Sequence, residues 1–155
     1  MKKLPLVSII IRTKNEEKWI ESCLKRIESQ SINSKNIEII IVDNNSSDQT
    51  ISRAKKYKVK IFFIKKYLPG KALNYGIKKA KGKYIVCLSA HCIPADKDWL
   101  KHLLISLKSN KVAGVYGRQI PLPYSSDFDK RDLINLNSQQ LRKSALFSLL
   151  REASE

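Results

Sequence analysis

Three apolar runs along the chain each end in a cluster of small, polar or charged residues. Leu6 to Ile11 runs into Arg12, Thr13, Lys14, Asn15, Glu16 and Glu17. Ile37 to Val42 runs into Asp43, Asn44, Asn45, Ser46, Ser47 and Asp48. Tyr84 to Leu88 runs into Ser89, Ala90, His91, Cys92 and Pro94. Near-continuous Ile and Val runs of this length mark strands covered on both faces, as parallel strands with helical crossovers are. Between them, Trp19, Ile20, Cys23, Leu24 and Ile27 recur at helical spacing, with Asn15 as the expected cap. A second helix is expected after Ser47 and Asp48, a third over Lys71 to Ala80 ending at Gly82, and a fourth carrying Trp99, Leu100, Leu103, Leu104 and Leu107. Strands around Val59 to Ile64 and Val112 to Tyr116 complete a βαβαβαβαβ alternation. That order predicts an α/β fold, a three-layer sandwich around a mainly parallel central sheet. Ligands of such sheets bind outside the carboxyl ends of the strands, so the three polar clusters are expected to share one rim.

A chain of 155 residues suits a single main core. Cys23, Cys87 and Cys92 form neither an even disulfide set nor paired metal knuckles, so they read as reduced thiols and favour the cytoplasm. The first apolar run is interrupted by Pro5 and ends at Arg12, too short for a signal peptide or a membrane span. The formal charge of +16 raises the question of nucleic acid. The lysines occur in short clusters such as Lys55 and Lys56, Lys65 and Lys66, and Lys78 and Lys79, without RNP-like aromatics or zinc-finger spacing. A solvated lysine-rich surface is therefore favoured over a nucleic-acid face. The same charge would also favour phosphorylated ligands or an anionic membrane surface.

Familiar phosphate loops fail on inspection. Gly70 and Lys71 look like the end of a Walker loop, but Ala72 stands at the Ser/Thr position and Lys65 at the first glycine. A dinucleotide fingerprint fails because the turn after the first strand contains no glycine. A nucleotide must then be held mainly by side chains and ordinary loop amides.

Four blocks in order carry a resemblance: Val7 to Ile11 with Thr13, Asn15 and Glu16; Ile41 to Thr50; Gly70 to Gly76; and Ala80 to Ile85. Together they resemble a family 2 glycosyltransferase of the GT-A fold, over Pro5 to Pro121, and Val112 to Pro121 looks similar to rhamnosyltransferase-like members. The resemblance implies transfer of a sugar from a nucleotide-sugar donor to a saccharide or lipid-linked acceptor, in cell-envelope polysaccharide synthesis. It implies donor contacts at Thr13, Asn15, Glu16, Asp43, Asn45, Asp48, Lys71, Asn74, Ser89, Ala90 and His91, with Arg118 and Gln119 reaching donor or acceptor. Physically, Asp43 suits a base or ribose hydrogen bond, although a loop aspartate in this place also reads as a helix cap. Glu16 suits ribose, or equally a helix dipole. Gly76 reads as donor-loop support or as close helix packing.

Two positions depart from the family pattern. Ser89, Ala90 and His91 stand where a DxD-type motif ends the strand. A divalent cation there neutralises diphosphate charge. His91 without a carboxylate is a poor magnesium ligand and suits manganese or a softer ion better, or it donates directly to the diphosphate. Leu73 stands where the family often carries arginine, which passes the phosphates to Lys71 or another lysine.

The expected organisation is a nucleotide-sugar-binding domain over residues 1–121 and a polar linker with a C-terminal helix over 122–155. The acceptor half and catalytic carboxylate of the family lie downstream, and no catalytic base is nominated. The chain then reads as a donor-binding part, completed by a second polypeptide, cytoplasmic or peripheral at the inner membrane face. The alternatives are a non-catalytic nucleotide-sugar or partner-binding module and, more weakly, a basic nucleic-acid binder.

Overall fold

A computed structural model describes residues 5–66, 68–107 and 112–120. Four strands, β1 (Val7–Thr13), β2 (Ile37–Asp43), β3 (Lys60–Phe63) and β4 (Tyr84–Ser89), alternate with α1 (Ile20–Glu28), α2 (Thr50–Ala54), α3 (Pro69–Lys79) and α4 (Trp99–Ser106). All the pairings are parallel and the strand order is β3-β2-β1-β4. The chain thus builds outward from β1 to β3, then crosses back to place β4 on the other side of β1. That reversal makes the gap between β1 and β4 a topological switch point, where loops diverge and leave a crevice.

The period of two in the strands divides the core in two. Ile9, Ile11, Ile39, Ile41 and Val86 face Ile20, Cys23, Leu24 and Ile27 of α1, Ala54 of α2 and Leu100 of α4. Ile10, Ile40, Val42 and Ile85 face Ala72 of α3. The result is a three-layer sandwich with an all-parallel central sheet. Each large aliphatic side chain fully buried here contributes about 1.5–3 kcal/mol, which is why both faces of the sheet are apolar.

Two sequence expectations are corrected. The first helix begins at Ile20, not near Asn15. Asn15 adopts φ 53, a left-handed conformation incompatible with helix, and the chain makes a turn in which the Glu16 carbonyl accepts from the Trp19 and Ile20 amides. Nor is Val112 to Tyr116 a fifth strand: residues 112–120 have no regular structure, although Val115 packs against the first core cluster. Within this segment only Val115 is half-buried, while Val112 and Tyr116 are exposed. The linker and helix expected over 122–155 lie outside the described residues.

The amino ends of the strands are fastened by one buried carboxylate. Glu38 of β2 accepts hydrogen bonds from Ser8 of β1, Lys60 of β3 and the amide of Lys81, which leads into β4. Ser8 also accepts from the Gly82 amide at 2.8 Å. A side chain at Gly82 would lie 2.5 Å from the Ser8 nitrogen, so the close approach requires glycine. At Gly76 of α3 a Cβ would meet Ile10 Cγ2 at 2.3 Å and Val42 Cγ2 at 3.0 Å, which fixes how closely the helix sits on the sheet.

Gly76→Ala should therefore destabilise by about 1–3 kcal/mol through overpacking, despite the ~1 kcal/mol that alanine gains in helix propensity. Urea unfolding that shows a more stable variant would contradict this packing. Glu38 supplies a second test. Burial pushes its carboxyl up, but the bonds from Lys60, Ser8 and Lys81 outweigh burial and hold it below the usual value. A carboxyl lowered on folding stabilises above its unfolded value and loses that contribution as pH falls through the folded one. The difference in thermal midpoint between wild type and Glu38→Gln should accordingly shrink as pH drops below about 4. A difference constant into strong acid would place the effect elsewhere.

Candidate functional site

At the carboxyl ends of β1 and β2, the loops that follow are laced together by side chains. Asp43, fully buried, accepts from Thr13 Oγ1 at 2.7 Å and Ser46 Oγ at 2.5 Å on one oxygen, and from the Ser46 amide at 2.8 Å on the other. A carboxylate removed from water requires such saturation, and the bonds bind the end of β1 to the start of the next loop. Asp48 repeats the pattern. One oxygen accepts from the amide and hydroxyl of Thr50, capping α2, and the other accepts from the Glu17 amide at 3.0 Å. Burial raises the Asp48 carboxyl, but these bonds outweigh it and hold it below the usual carboxylate value.

Further bonds run across the same seam. The Asn15 amide donates to Ser46 Oγ and the Asn15 side-chain oxygen accepts from the Ser47 amide, both at 2.9 Å. The Glu16 amide donates to Thr50 Oγ1 at 2.7 Å, and the Gln49 amide to the Glu17 carboxylate at 3.0 Å. Lys14 Nζ donates to the carbonyls of Asn44 and Asn45 at 2.9 and 2.8 Å. Asn45, like Asn15, is left-handed, with φ 49. Asparagine tolerates that region better than most residues, so the two asparagines let both loops turn sharply enough to meet.

The third rim segment joins across the switch point. After β4 the Cys92 amide donates to the Ser89 carbonyl, a turn that sets His91 at the surface. His91 Nδ1 lies 2.9 Å from Glu16 Oε1, bridging the gap between the β1 and β4 loops. With Nδ1 engaged by a carboxylate, Nε2 is the atom left to meet a ligand; carboxylate pairing of this kind is how ligating histidines are usually oriented.

The expected site residues are thus divided by the structure. It brings Thr13, Asn15, Glu16, Asp43, Asn45, Asp48, Ser89 and His91 to one rim. Thr13 and Asp43, however, are buried and spend their polar atoms on each other and on Ser46, so they position the rim rather than face outward. The Ala90 methyl is fully buried in the first core cluster and cannot contact a ligand. Lys71 and Asn74 are not in the lace. They line a concavity beside the end of β3 with Ile64, Lys65, Lys66, Tyr75 and Lys78, because positions 71, 74, 75 and 78 share the face of α3 turned away from the sheet. Arg118 and Gln119 are exposed and follow Gly117, which lies against the Trp99 indole at the start of α4.

Sequence reading missed Lys14, Glu17, Ser46 and Thr50. For Ser46 and Thr50 a signal existed, since hydroxyls two or three residues after an aspartate commonly close a local turn. For Lys14 none did: its partners are backbone carbonyls on another loop. Burial, with the nearby Cys92 and Glu16 charges, pushes Cys23 up to about 12, and burial pushes Cys87 up to about 11.

Among the described residues no group of three His, Cys, Asp or Glu side chains could hold a metal ion. The rim offers one outward imidazole paired with one carboxylate. Such a set does not fit a magnesium site built from protein oxygens. It fits an ion that accepts one imidazole and takes its remaining ligands from a bound diphosphate. Among the described residues no helix is long and apolar enough to cross a membrane.

Comparison with known proteins agrees with this architecture. A curated relative, the dolichyl N-acetyl-alpha-D-glucosaminyl phosphate 3-beta-D-2,3-diacetamido-2,3-dideoxy-beta-D-glucuronosyltransferase of Methanococcus voltae, is 36% identical over 123 residues, 72% of this chain and 38% of that protein. The poly(ribitol-phosphate) beta-N-acetylglucosaminyltransferase TarS of Staphylococcus aureus is 28% identical over 74% of this chain and 22% of its own length. The chain therefore spans well under half of these relatives. The solved structure of TarS 1-349 in complex with UDP-GlcNAc superposes with a TM-score of 0.62 at 26% identity, over 75% of this chain and 37% of that one. A mannosyltransferase from Pyrobaculum calidifontis shares the fold, with a TM-score of 0.66 at 24% identity over 72% of this chain and 34% of that one. The model of the family described as Glycosyl transferase family 2 matches residues 8–153, nearly the whole sequence. The chain, with its GT-A-type sheet and rim, belongs to glycosyl transferase family 2.

Proposed function

We propose that the rim binds a nucleotide-sugar and that the chain supplies the donor-binding part of a glycosyltransferase. The observation that carries the reading is the Glu16 to His91 bridge at 2.9 Å across the switch point, because it sets a polar, oriented imidazole where a ligand of this kind of sheet belongs. The partly exposed loop groups around it, including Asn15, Asn45, Ser47 and Ser89, offer amide and hydroxyl contacts to a nucleoside. UDP-GlcNAc bound to the TarS structure supports this ligand class. The curated relatives' names describe a dolichyl phosphate-linked sugar and a poly(ribitol-phosphate), which supports a saccharide or lipid-linked acceptor and a role in building cell-surface glycans.

In this reading Thr13, Asp43 and Asp48 act through the loops they hold. Glu16 orients His91, whose Nε2 faces the diphosphate. A divalent ion bound there would neutralise charge on the departing nucleoside diphosphate, and His91 is the protein group that would hold it. An imidazole suits manganese better than magnesium. With its rim fixed before ligand arrives, the protein loses less entropy on binding and aligns the sugar-phosphate bond for an acceptor.

Calorimetric titration with a panel of nucleotide-sugars tests the reading. We expect binding that Asp43→Ala weakens indirectly, because the loops it ties to β1 lose their arrangement, with the direct cost of about 1–3 kcal/mol for the lost buried hydrogen bonds falling on folding stability. Binding should tighten more with manganese than with magnesium, and His91→Ala should remove that difference. Absence of binding throughout the panel, or binding indifferent to both substitutions, would reject the site. Strong magnesium dependence that His91→Ala abolishes would reject the account of His91.

A further inference from the structure

β3 forms one edge of the described sheet, opposite to β4 and His91. Its inner side pairs with β2 in parallel register from Lys60 to Phe63, and the Ile64 amide continues the ladder by donating to the Asp43 carbonyl at 2.8 Å. Backbone polar groups along a strand alternate sides, so those of Phe62 and Ile64 face β2 and those of Ile61 and Phe63 face away from it. Among the described residues no strand pairs with that outer side, and no turn or loop backbone bond reaches Ile61 or Phe63. The side chains leave the same edge open. Ile61 packs on the first core cluster, but Phe63, two positions on and on the same face, is 56% exposed.

Lysines stand at both ends of this edge. Lys58 precedes β3, and Lys65 and Lys66 follow it; all three are exposed, and none forms an ion pair or hydrogen bond among the described residues. Between Asp48 and Asp96 the sequence has no acidic residue to answer them, and the whole chain carries +16. Such lysines keep a sheet edge from pairing with another copy of the same chain, since in either strand direction lysine would meet lysine. That sets a second copy aside as the occupant. A strand that brings carboxylates to the two ends meets the opposite situation: the groups that repel a like edge become charge-assisted hydrogen-bond donors.

We propose that the free edge of β3 is a docking surface for an extended polypeptide segment with an apolar centre and acidic ends, which adds a strand to the sheet. The outward amides and carbonyls of Ile61 and Phe63 bond its backbone, and one of its apolar side chains pairs with the Phe63 ring. Its carboxylates meet Lys58 at one end and Lys65 and Lys66 at the other. Lys58 and Lys65 stand seven positions apart. At ~3.3 Å per residue the occupant therefore spans roughly 20 Å, or about seven to nine residues. This surface is independent of the rim, and nothing in it requires a nucleotide-sugar to be bound there.

The test is NMR titration and amide hydrogen exchange of the full chain with a synthetic peptide that carries two glutamates at each end and five alternating valines and threonines between them. Saturable shifts are expected at Ile61 and Phe63, and exchange there should slow far more than at Phe62, whose amide already faces β2. The same core with lysines at its ends should not bind. The acidic peptide N-methylated along its core should bind about tenfold more weakly or worse, because it loses the donors that pair with the edge. Phe63→Pro removes one outward N–H and leaves the bonds to β2, a position at which an edge strand accepts proline. It should weaken the acidic peptide by about tenfold, while protection of Ile39 to Ile41 as in wild type shows the sheet intact. Absence of saturable shifts on β3, or equal binding by the lysine-ended or the N-methylated peptide, would overturn the proposal, as would full affinity in Phe63→Pro. Should Phe63→Pro lose the sheet, the two control peptides decide the question on the wild-type chain.

Discussion

The buried carboxylate of Asp43 is the constraint on which the upper surface of the molecule depends. A carboxylate cannot be held out of water without several donors, and here Thr13 and Ser46 provide them from two different segments. Satisfying Asp43 therefore forces the end of β1 and the loop after β2 together. Once they meet, Asn15, Glu16 and Glu17 find their partners in Ser46, Ser47, Thr50, Asp48 and Gln49, and Glu16 is carried to His91. Glu38 plays the corresponding part at the opposite ends of the strands. One sheet is thus closed at both ends by a buried acid on β2, and both faces between are aliphatic.

Much of this was legible in the residues. Isoleucine and valine runs revealed the parallel strands because burial on both faces leaves little room for polar residues, and the stripe from Ile20 to Ile27 revealed α1. Boundaries and cross-chain contacts were less accessible. Asn15 reads as a helix cap locally, but its side chain is claimed by Ser47, thirty-two positions away. Val112 to Tyr116 has strand-like content, yet pairing requires a neighbouring edge, which sequence does not specify. Lys71 and Asn74 were expected near the donor from their place in the motif. Helical geometry turns them to the outer face with Tyr75 and Lys78. The lysine clusters looked scattered because the concavity gathers its charges from the segment after β3 and from two turns of α3.

The architecture gives the described surface two chemically different regions. Around β1, β2 and β4 the rim is polar, bound together by side-chain hydrogen bonds, and carries the exposed His91 imidazole against Glu16. Beside β3 the surface is cationic and partly aromatic.

Native-state hydrogen exchange on Asp43→Ala measures the central dependence directly. If Asp43 anchors the rim, the amides of Asn15, Glu16, Glu17, Ser46 and Ser47 should lose protection together, while those of Ile9 to Ile11 and Ile39 to Ile41 remain protected as in wild type. Loss confined to Ser46, the one amide bonded to Asp43 itself, would show that the loops hold each other without the buried acid and would contradict the account.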